Sequence, residues 1–167
     1  MTVRPARTDE LSRVFRLTYE FVGGGSVTRH IVACKRDRKL WSGMHYILED
    51  DQGEFVATLT AYLYRHPFVG TAIGLSNVFT PESLRSRGYA SRLIEGTLSQ
   101  FEEQGQHTFY LLSDIGAEFY ARFGFRPLPL CYEPLPDCIP MLRCPPDDWD
   151  RLTNNHQFLH GLMAFVD

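Results

Sequence analysis

A strand, a helix and a second strand follow one another in the middle of this sequence, and this order constrains the fold more than any other feature. The first strand-like run, residues 72–80, is closed by Pro81. Residues 89–103 then carry apolar side chains at i, i+3 and i+4 spacing, which predicts an amphipathic helix that stops at Gly105. A second apolar run, residues 108–113, follows. Two strands joined by such a helix lie parallel, so we expect an α/β fold with a parallel crossover in a mixed sheet.

The flanking segments predict further helices and an antiparallel hairpin. The residues Asp51-Gln52-Gly53 connect two β-rich runs and are typical of a hairpin turn. Glycines end two of the helical patterns, at Gly23 and at Gly124. The predicted helices are 8–22, 27–40 and 116–123, and the predicted hairpin strands are 45–50 and 54–65.

Length and composition describe a globular protein. The 167 residues are 44% hydrophobic and 22% charged, which suits one domain with a buried core. The net charge of -3 argues against a general nucleic-acid binder, whose surface carries a basic excess. Apolar runs fall far below about 20 residues and the N-terminus lacks an apolar signal region, so neither a membrane span nor secretion is expected. Four irregularly spaced cysteines predict no disulfide framework. We expect a cytoplasmic monomer or homodimer.

Composition changes near residue 127. Seven of the ten prolines lie at or after Pro127, and residues 131–167 hold two basic side chains against six acidic ones. We therefore expect residues 1–130 to form the main domain. Residues 131–167 would complete or extend it with a strand at 139–144 and an acid-capped helix at 147–165.

The loop between strand 72–80 and helix 89–103 carries the residue types of an anion site. Arg85 and Arg87 supply two cations, and Gly88 lets the backbone approach a ligand closely. The helix that follows offers free N–H groups and the positive end of its dipole. The loop lacks both the G-x-G-x-x-G of a Rossmann fold and the Gly-Lys-Ser/Thr of a Walker loop. The alternatives at this point are a pyrophosphate site and an ordinary basic turn.

Two motifs resemble those of the GCN5-related N-acetyltransferase (GNAT) superfamily. The Arg-x-x-Gly-x-Ala of residues 85–90 is similar to the family's Arg/Gln-x-x-Gly-x-Gly/Ala motif for acetyl-CoA. The Tyr-x-x-x-Gly-Phe of residues 120–125 resembles its second signature, and about thirty residues separate the two, as the family's helix-strand-helix insert requires. The resemblance covers about residues 8–130. It implies the GNAT fold, a central mixed β-sheet with splayed parallel strands flanked by helices.

The resemblance also implies an activity, the direct transfer of an acetyl group from acetyl-CoA to an amine, without a covalent enzyme intermediate. The loop backbone would bind the pyrophosphate, helped by the side chains of Arg85 and Arg87. The pantetheine would run along the first parallel strand, where a backbone N–H near Val78 or Phe79 would polarise the thioester carbonyl. The residues assigned to the acetyl-CoA site in this way are Asn77, Val78, Phe79, Arg85, Ser86, Arg87, Gly88, Tyr89, Ala90 and Ser91.

Tyr120 matches the family's catalytic tyrosine, and the resemblance implies that it is the general acid toward the departing thiolate. A phenol with a pKa of about 10 can donate a proton toward a thiolate whose conjugate acid has a pKa of about 8.5, either as a hydrogen bond or in a concerted transfer. Without the family context, the alternative is a core tyrosine that packs helix 116–123. The candidates for the general base, none of which is assigned, are Glu20, Glu54, His66 and Asp114.

The acceptor amine has no motif of its own. Residues 113–120, Ser-Asp-Ile-Gly-x-x-Phe-Tyr, look like the fungal lysine N6-acetyltransferase branch of the superfamily, which suggests a lysine-like acceptor. A basic cluster at residues 29–39 is most simply a solvated helix face, and it leaves an acidic acceptor open. A protein or peptide N-acetyltransferase and a non-catalytic acyl-CoA-binding regulatory domain are the other functions that remain open.

Two cysteines and two histidines of the tail superficially resemble a Cys2His2 zinc site: Cys138, Cys144, His156 and His160. The gap between the cysteines exceeds the usual two to four residues, and two prolines interrupt the turn that such a site needs. We therefore predict no metal. His156 and His160, four residues apart, would instead share a packed face of the tail helix.

Overall fold

The computed structural model describes residues 1–22, 25–67, 69–129 and 137–164. The strands of this part are β1 (Thr2–Pro5), β2 (Met44–Glu49), β3 (Phe55–His66), β4 (Gly70–Phe79), β5 (Phe109–Ser113), β6 (Arg126–Pro127) and β7 (Ile139–Arg143). Its α-helices are α1 (Leu11–Leu17), α2 (Tyr19–Val22), α3 (Val27–Arg36), α4 (Arg38–Ser42), α5 (Tyr89–Glu103), α6 (Glu118–Ala121), α7 (Trp149–Thr153) and α8 (His156–Ala164). None of these helices combines the length and the apolar composition needed to cross a bilayer.

The strands form one mixed sheet in the order β1-β2-β3-β4-β5-β7-β6. β1 pairs antiparallel with β2, and β2 pairs antiparallel with β3. β4 pairs parallel with β5, whereas β7 pairs antiparallel with both β5 and β6. The predicted fold class, a mixed α/β sheet flanked by helices, is confirmed. The hydrophobic pattern did not predict the bounds of β1.

The parallel crossover lies where the sequence predicts it, and α5 has the predicted bounds, Tyr89–Glu103. The parallel pairing places Ile73 opposite Phe109 and Gly74 opposite Tyr110. A Cβ added to Gly74 would lie 2.6 Å from the Tyr110 ring. Glycine at this position therefore makes room for the aromatic ring that crosses it.

Two predicted helices are interrupted, the first of which also begins as a 3-10 turn at Thr8–Glu10, and at both breaks a polar side chain bonds to the backbone. In the first, Thr18 Oγ1 donates to the carbonyl of Phe15 (3.1 Å) where α1 ends. In the second, the Asp37 carboxylate accepts from the N–H groups of Lys39 (2.8 Å) and Leu40 (3.1 Å) and begins α4 as its N-cap. The apolar periodicity alone predicted one helix in each case. At the second break, Cys34 before Asp37 and Leu40 after it pack into the same apolar cluster, so the apolar spacing continues across the break.

The chain divides into two compact units, and each contains a cluster of buried apolar side chains. The first unit comprises Met1–Tyr62 and Ser76–Gln100, and the second comprises Leu63–Leu75 and Phe101–Asp167. The buried cluster of the first unit is Val14, Phe15, Cys34, Ile47 and Phe55. The buried cluster of the second unit is Ala72, Tyr110, Leu128, Leu142, Leu152, Phe158, Leu159 and Leu162.

The C-terminal segment contributes an interior strand to the sheet. The predicted strand at 139–144 is confirmed as β7, Ile139–Arg143. Because β7 pairs with β5 on one side and with β6 on the other, it is flanked by hydrogen-bonded neighbours along both edges. The predicted domain boundary at residues 130–131 lies outside the described residues.

The single tail helix predicted at 147–165 is wrong. A 3-10 turn at Pro146–Asp148 and α7 are followed by a separate helix, α8. The break arises where Asn155 Oδ1 accepts the N–H of Phe158 (2.8 Å), in the manner of an N-cap. The predicted packing of His156 and His160 is also wrong, since both are exposed and α8 buries Phe158 instead.

Candidate functional site

The loop between β4 and α5 is accessible and leads directly into a 15-residue helix. A 3-10 turn occupies Glu82–Leu84 and is closed by the N–H of Leu84, which donates to the Pro81 carbonyl (2.9 Å). Residues 85–88 are all exposed. The four residues that carry the predicted cations and the predicted glycine are therefore open to a ligand.

Two residues of this loop have a left-handed backbone. The φ angle is 62° at Ser86 and 78° at Gly88, with Arg87 between them. A Cβ added to Gly88 would meet no protein atom within 4 Å, so the space in front of this residue is open. Glycine is thus required by the backbone conformation and not by packing. Alternating left-handed and ordinary conformations turn successive N–H groups to one side, an arrangement that binds anions.

The start of α5 adds donors to the same loop. The N–H of Arg92 donates to the carbonyl of Gly88 (3.0 Å), so Gly88 occupies the N-cap position. In an α-helix the N–H groups ahead of this bond, here those of Tyr89 and Ala90, have no intrahelical acceptor. They carry the positive end of the helix dipole. The loop and the helix start therefore present a concentration of backbone donors to solvent.

Both arginines are anchored to the loop backbone through one nitrogen. Arg85 Nε donates to the Thr80 carbonyl (3.2 Å), and Arg87 Nη2 donates to the Ser83 carbonyl (3.3 Å). Within the described residues, neither guanidinium forms an ion pair with a carboxylate. Their charges therefore remain available to an anionic ligand beside the helix start.

A carboxylate from α2 contacts the turn that precedes the arginines. Glu20 Oε2 accepts the backbone N–H of Glu82 at 3.3 Å, and both side chains are exposed. From the sequence, Glu20 is only a candidate base, because no pattern indicates a contact across sixty residues. In the structure, the Glu20 carboxylate accepts a hydrogen bond from the backbone of this turn.

The end of β4 departs from a regular strand at Asn77. Its φ angle is 51°, a left-handed conformation within Gly70–Phe79. A left-handed residue inside a strand is typical of a bulge and turns the neighbouring peptide group out of the ladder. Asn77 is exposed, Val78 is half-buried and Phe79 is buried. Asparagine tolerates this conformation better than most residues, which is the sequence signal that indicates it.

Tyr120 lies on α6 with its side chain buried, 6% exposed. Its ring packs edge-on against Phe119, with ring centroids 5.0 Å apart, and against Phe125 at 6.2 Å. Burial raises the pKa of the Tyr120 phenol to about 12, and the negative charge of Asp114 adds to the shift. Tyr120 is therefore a buried aromatic residue whose phenol keeps its proton at neutral pH.

The turn between β5 and α6 is closed by Ser113. Its Oγ donates to the carbonyl of Gly116 (2.5 Å) and accepts the N–H of Ile115 (3.4 Å). The φ angle of Gly116 is 89°, which requires glycine. Asp114 is exposed and makes no side-chain cap to α6.

The four candidate bases occupy different environments. Glu54 lies at the β2–β3 hairpin and forms a 3.5 Å ion pair with Arg13. His66 is buried at the end of β3, edge-on to Phe158 at 5.9 Å. Glu20 contacts the turn before the arginines, and Asp114 is the candidate whose charge acts on Tyr120. The geometry singles out no base.

The cysteines and histidines of the tail do not form a metal-binding cluster within the described residues. Cys138 and Cys144 are free thiols, and no group of three His, Cys, Asp or Glu side chains suited to a metal occurs among the residues that the structure describes. The pKa of the Cys144 thiol is raised, first by burial. This thiol is therefore protonated near neutral pH.

Comparison with known proteins bears on the fold and the family. The family model of the acetyltransferase (GNAT) domain matches residues 2–128. No curated protein matches the chain. The residues matched by the family model include both the loop at residues 85–91 and Tyr120.

Three solved structures are similar in fold. The Escherichia coli GNAT family N-acetyltransferase YhbS, in complex with CoA, is 17% identical with a TM-score of 0.66, over 92% of this chain and 84% of that one. A GNAT family acetyltransferase from Brucella melitensis, in complex with acetyl-CoA, is 20% identical with a TM-score of 0.54, over 75% and 82%. A conserved protein of unknown function from Enterococcus faecalis V583 is 20% identical with a TM-score of 0.62 over 76% of this chain, which spans only 32% of that protein.

The family model covers well over half of the sequence, and the mixed sheet of the structure agrees with it. The chain belongs to the GNAT acetyltransferase family.

Proposed function

We propose that the chain is an acetyl-CoA-dependent N-acetyltransferase that moves an acetyl group directly to the amine of a small molecule or amino acid. One observation carries the proposal: Ser86 and Gly88, both left-handed, form an exposed loop of backbone donors at the start of α5. Family membership supports the reaction class. The CoA and acetyl-CoA bound to two structures of similar fold support the choice of acetyl donor.

The loop fits a pyrophosphate in charge and in space. The backbone from Arg87 to Ser91 would donate hydrogen bonds to the phosphate oxygens, and charge-assisted bonds of this kind are stronger than neutral ones. Arg85 and Arg87 would add two positive charges beside the helix dipole. The open space at Gly88 would admit the ligand, since no protein atom lies within 4 Å of the position of a Cβ there.

Bound acetyl-CoA would supply an activated acyl group as a thioester. The backbone N–H of Val78 or Phe79 would donate to the thioester carbonyl and stabilise the negative charge that develops on its oxygen. The left-handed conformation of Asn77 supports this role, because a bulge turns the next peptide group away from the neighbouring strand.

Tyr120 would hold a proton on its phenol oxygen and donate it toward the departing sulfur. With a pKa raised to about 12, the phenol remains protonated throughout the neutral range. The thiol that forms has a pKa of about 8.5, so complete proton transfer from Tyr120 would cost about 5 kcal/mol. A hydrogen bond, or a transfer concerted with loss of the amine proton, is therefore the contribution that this residue can make.

The acceptor amine must lose a proton during the reaction. A lysine-like amine with a pKa of about 10.4 lies about 3.4 units from its neutral form at pH 7, which costs about 4.6 kcal/mol. A carboxylate or histidine acting through water would lower this cost.

Two measurements test the proposal. Acetyl-CoA should raise the melting temperature of the protein by several degrees at saturating concentration, since a ligand that binds only the native state stabilises it. An acceptor screen that follows the free thiol of CoA should then identify an amine, beginning with free lysine and continuing with other amino acids, polyamines and peptides. No thermal shift with acetyl-CoA would contradict the donor assignment.

The same screen separates the remaining functions. Turnover with free lysine would support the likeness of residues 113–120 to the lysine-acetylating branch. Turnover with peptides alone would identify a protein or peptide N-acetyltransferase. Acetyl-CoA binding without turnover across the panel would identify a non-catalytic acyl-CoA-binding domain.

A further inference from the structure

The consecutive helices α3 and α4, separated by Asp37 alone, both expose cationic and apolar side chains. We call these exposed residues together the basic face, and its members are Arg29, Val32, Lys35, Arg36, Arg38 and Trp41. All six side chains are exposed. The proposed acetyl transfer makes no use of them.

The orientation of α3 follows from its helical spacing. Arg29, Val32 and Arg36 recur at i, i+3 and i+7 and therefore lie along one side of the helix. Ile31 and Cys34 lie on the other side and pack into the core of the first unit. The outer stripe of α3 is thus a valine flanked by two arginines.

The cations of this surface have no carboxylate partner in the part of the chain that the structure describes. No ion pair there involves Arg29, Lys35, Arg36 or Arg38. The acid that stands between the two helices, Asp37, is bound to backbone N–H groups as the N-cap of α4. Lys35 and Arg36 favourably oppose the dipole at the end of α3, but this effect does not account for Arg29 or Arg38.

The apolar members are more exposed than a purely solvated face requires. Trp41 is 55% exposed and Val32 is 42% exposed. The second tryptophan of the chain is placed differently, because Trp149 packs beneath the Arg126 guanidinium at 3.6 Å and against the core of its own unit. Tryptophan and arginine are the residues that most often dominate binding energy in protein interfaces.

We infer that the basic face docks an acidic polypeptide segment that also carries apolar side chains. The four unpaired cations complement carboxylates, and Trp41 with Val32 complements leucine or phenylalanine. A polyanion without apolar groups would leave Trp41 and Val32 in water. The inference concerns binding alone and does not depend on acetyl transfer.

Anisotropy of labelled peptides tests the docking with the wild-type chain. The probe is a synthetic peptide of alternating glutamate and leucine, and the matched control replaces every glutamate with glutamine. We expect the acidic peptide to bind at least about tenfold more tightly than the control, and to weaken with added salt as screening shortens the range of the charges. Emission from Trp41, measured in a Trp149→Phe background, should change on binding.

Charge reversal locates the surface. The double substitution Arg29→Glu/Arg36→Glu should weaken peptide binding at least about tenfold, because it replaces attraction with repulsion. Arg65→Glu, at an exposed position on β3, provides the control and should leave binding within about twofold. The melting temperature of Arg65→Glu should match the wild type, since this side chain is exposed. Arg29→Glu/Arg36→Glu should lose at most a few degrees, because the substitution at Arg36 places an acid at the end of α3.

Three results would overturn the inference. The first is no binding of the acidic peptide, and the second is equal binding to the Arg29→Glu/Arg36→Glu variant. The third is tighter binding of oligo-dT, or of vesicles of phosphatidylserine and phosphatidylcholine, than of the acidic peptide. That result would assign the basic face to a nucleic acid or to a membrane surface instead.

Discussion

Ser86 and Gly88 adopt the same left-handed conformation two residues apart, with φ angles of 62° and 78°. Arg87 lies between them and is exposed, and α5 begins at Tyr89, directly after Gly88. Serine accepts this conformation at a cost of about 1–2 kcal/mol, whereas glycine accepts it freely. The substitutions below separate what this loop contributes to folding from what it contributes to binding.

Gly88→Ala should weaken acetyl-CoA binding about tenfold and cost about 1–2 kcal/mol of stability, because alanine resists a φ of 78°. Gly105→Ala is a matched control, since Gly105 has the same φ of 78° and equally open space around its Cβ position. Both variants should lose similar stability in urea unfolding. An equal loss of acetyl-CoA affinity in calorimetry would show that the effect at Gly88 is not local.

Arg85→Gln and Arg87→Gln should each raise the KM for acetyl-CoA several-fold and leave kcat within about twofold, because they remove charge from binding and not from the reacting atoms. The salt dependence of the affinity should become weaker in each variant. Arg65→Gln, at an exposed position on β3, serves as the control. A fall in kcat with an unchanged KM would contradict a purely phosphate-binding role.

Tyr120→Phe should lower kcat about 10- to 100-fold with a nearly unchanged KM for acetyl-CoA, since the hydroxyl acts only as the sulfur departs. Tyr62→Phe is the control, because burial also raises the pKa of that buried tyrosine to about 12. Steady-state rates with the best acceptor measure the effect. Unchanged turnover in Tyr120→Phe would remove this residue from the mechanism.

The pKa of Tyr120 also predicts the alkaline limb of the rate profile. The rate should rise with pH as the acceptor amine deprotonates, and it should not decline near pH 10, where an ordinary tyrosine ionises. The phenol of Tyr120 loses its proton only near a pKa of about 12. Stability should behave differently: the folded pKa is raised, so its contribution is complete below pH 10 and is lost between about pH 10 and 12.

Glu10→Gln should destabilise the protein by about 2–3 kcal/mol, because it breaks a buried pair. Glu10 is 4% exposed and accepts two hydrogen bonds from Arg4, at 2.7 and 2.8 Å, and one from the Arg7 N–H at 2.8 Å. The hydrogen bonds from Arg4 are the largest cause of a pKa lowered from 4.5 to about 2. Asp9→Asn, at an exposed neighbour, should change stability little.

The sign of this pKa shift sets the acid limb of the stability curve. A folded pKa below the unfolded value stabilises the protein above about pH 4.5, and this contribution disappears as the pH falls toward 2. Urea unfolding midpoints measured across this range should fall steeply in the wild type and less steeply in Glu10→Gln. Parallel curves for the two proteins would contradict the role assigned to the Arg4–Glu10 pair.

Local sequence patterns were sufficient to predict an element where the apolar spacing and the residues at both ends of the element indicate the same bounds. The predicted helix 89–103 has the bounds of α5 because its apolar stripe, the loop before it and Gly105 all indicate the same limits. The two motifs were sufficient to indicate the family, because both depend on short runs of sequence. Periodicity failed at Thr18, Asp37 and Asn155, where a side chain bonds to the backbone and interrupts a helix without changing the apolar spacing.

By itself, then, the sequence determined the mixed α/β fold, the bounds of α5 and the family to which the chain belongs. The tertiary structure decided the features that depend on residues far apart in the chain: the interior position of β7, the contact of Glu20 with the turn before the arginines, and the burial that raises the pKa of Tyr120. Periodicity reports which face of an element is apolar. Only packing decides which partner covers that face, and therefore which polar group is dehydrated and which charge remains in water.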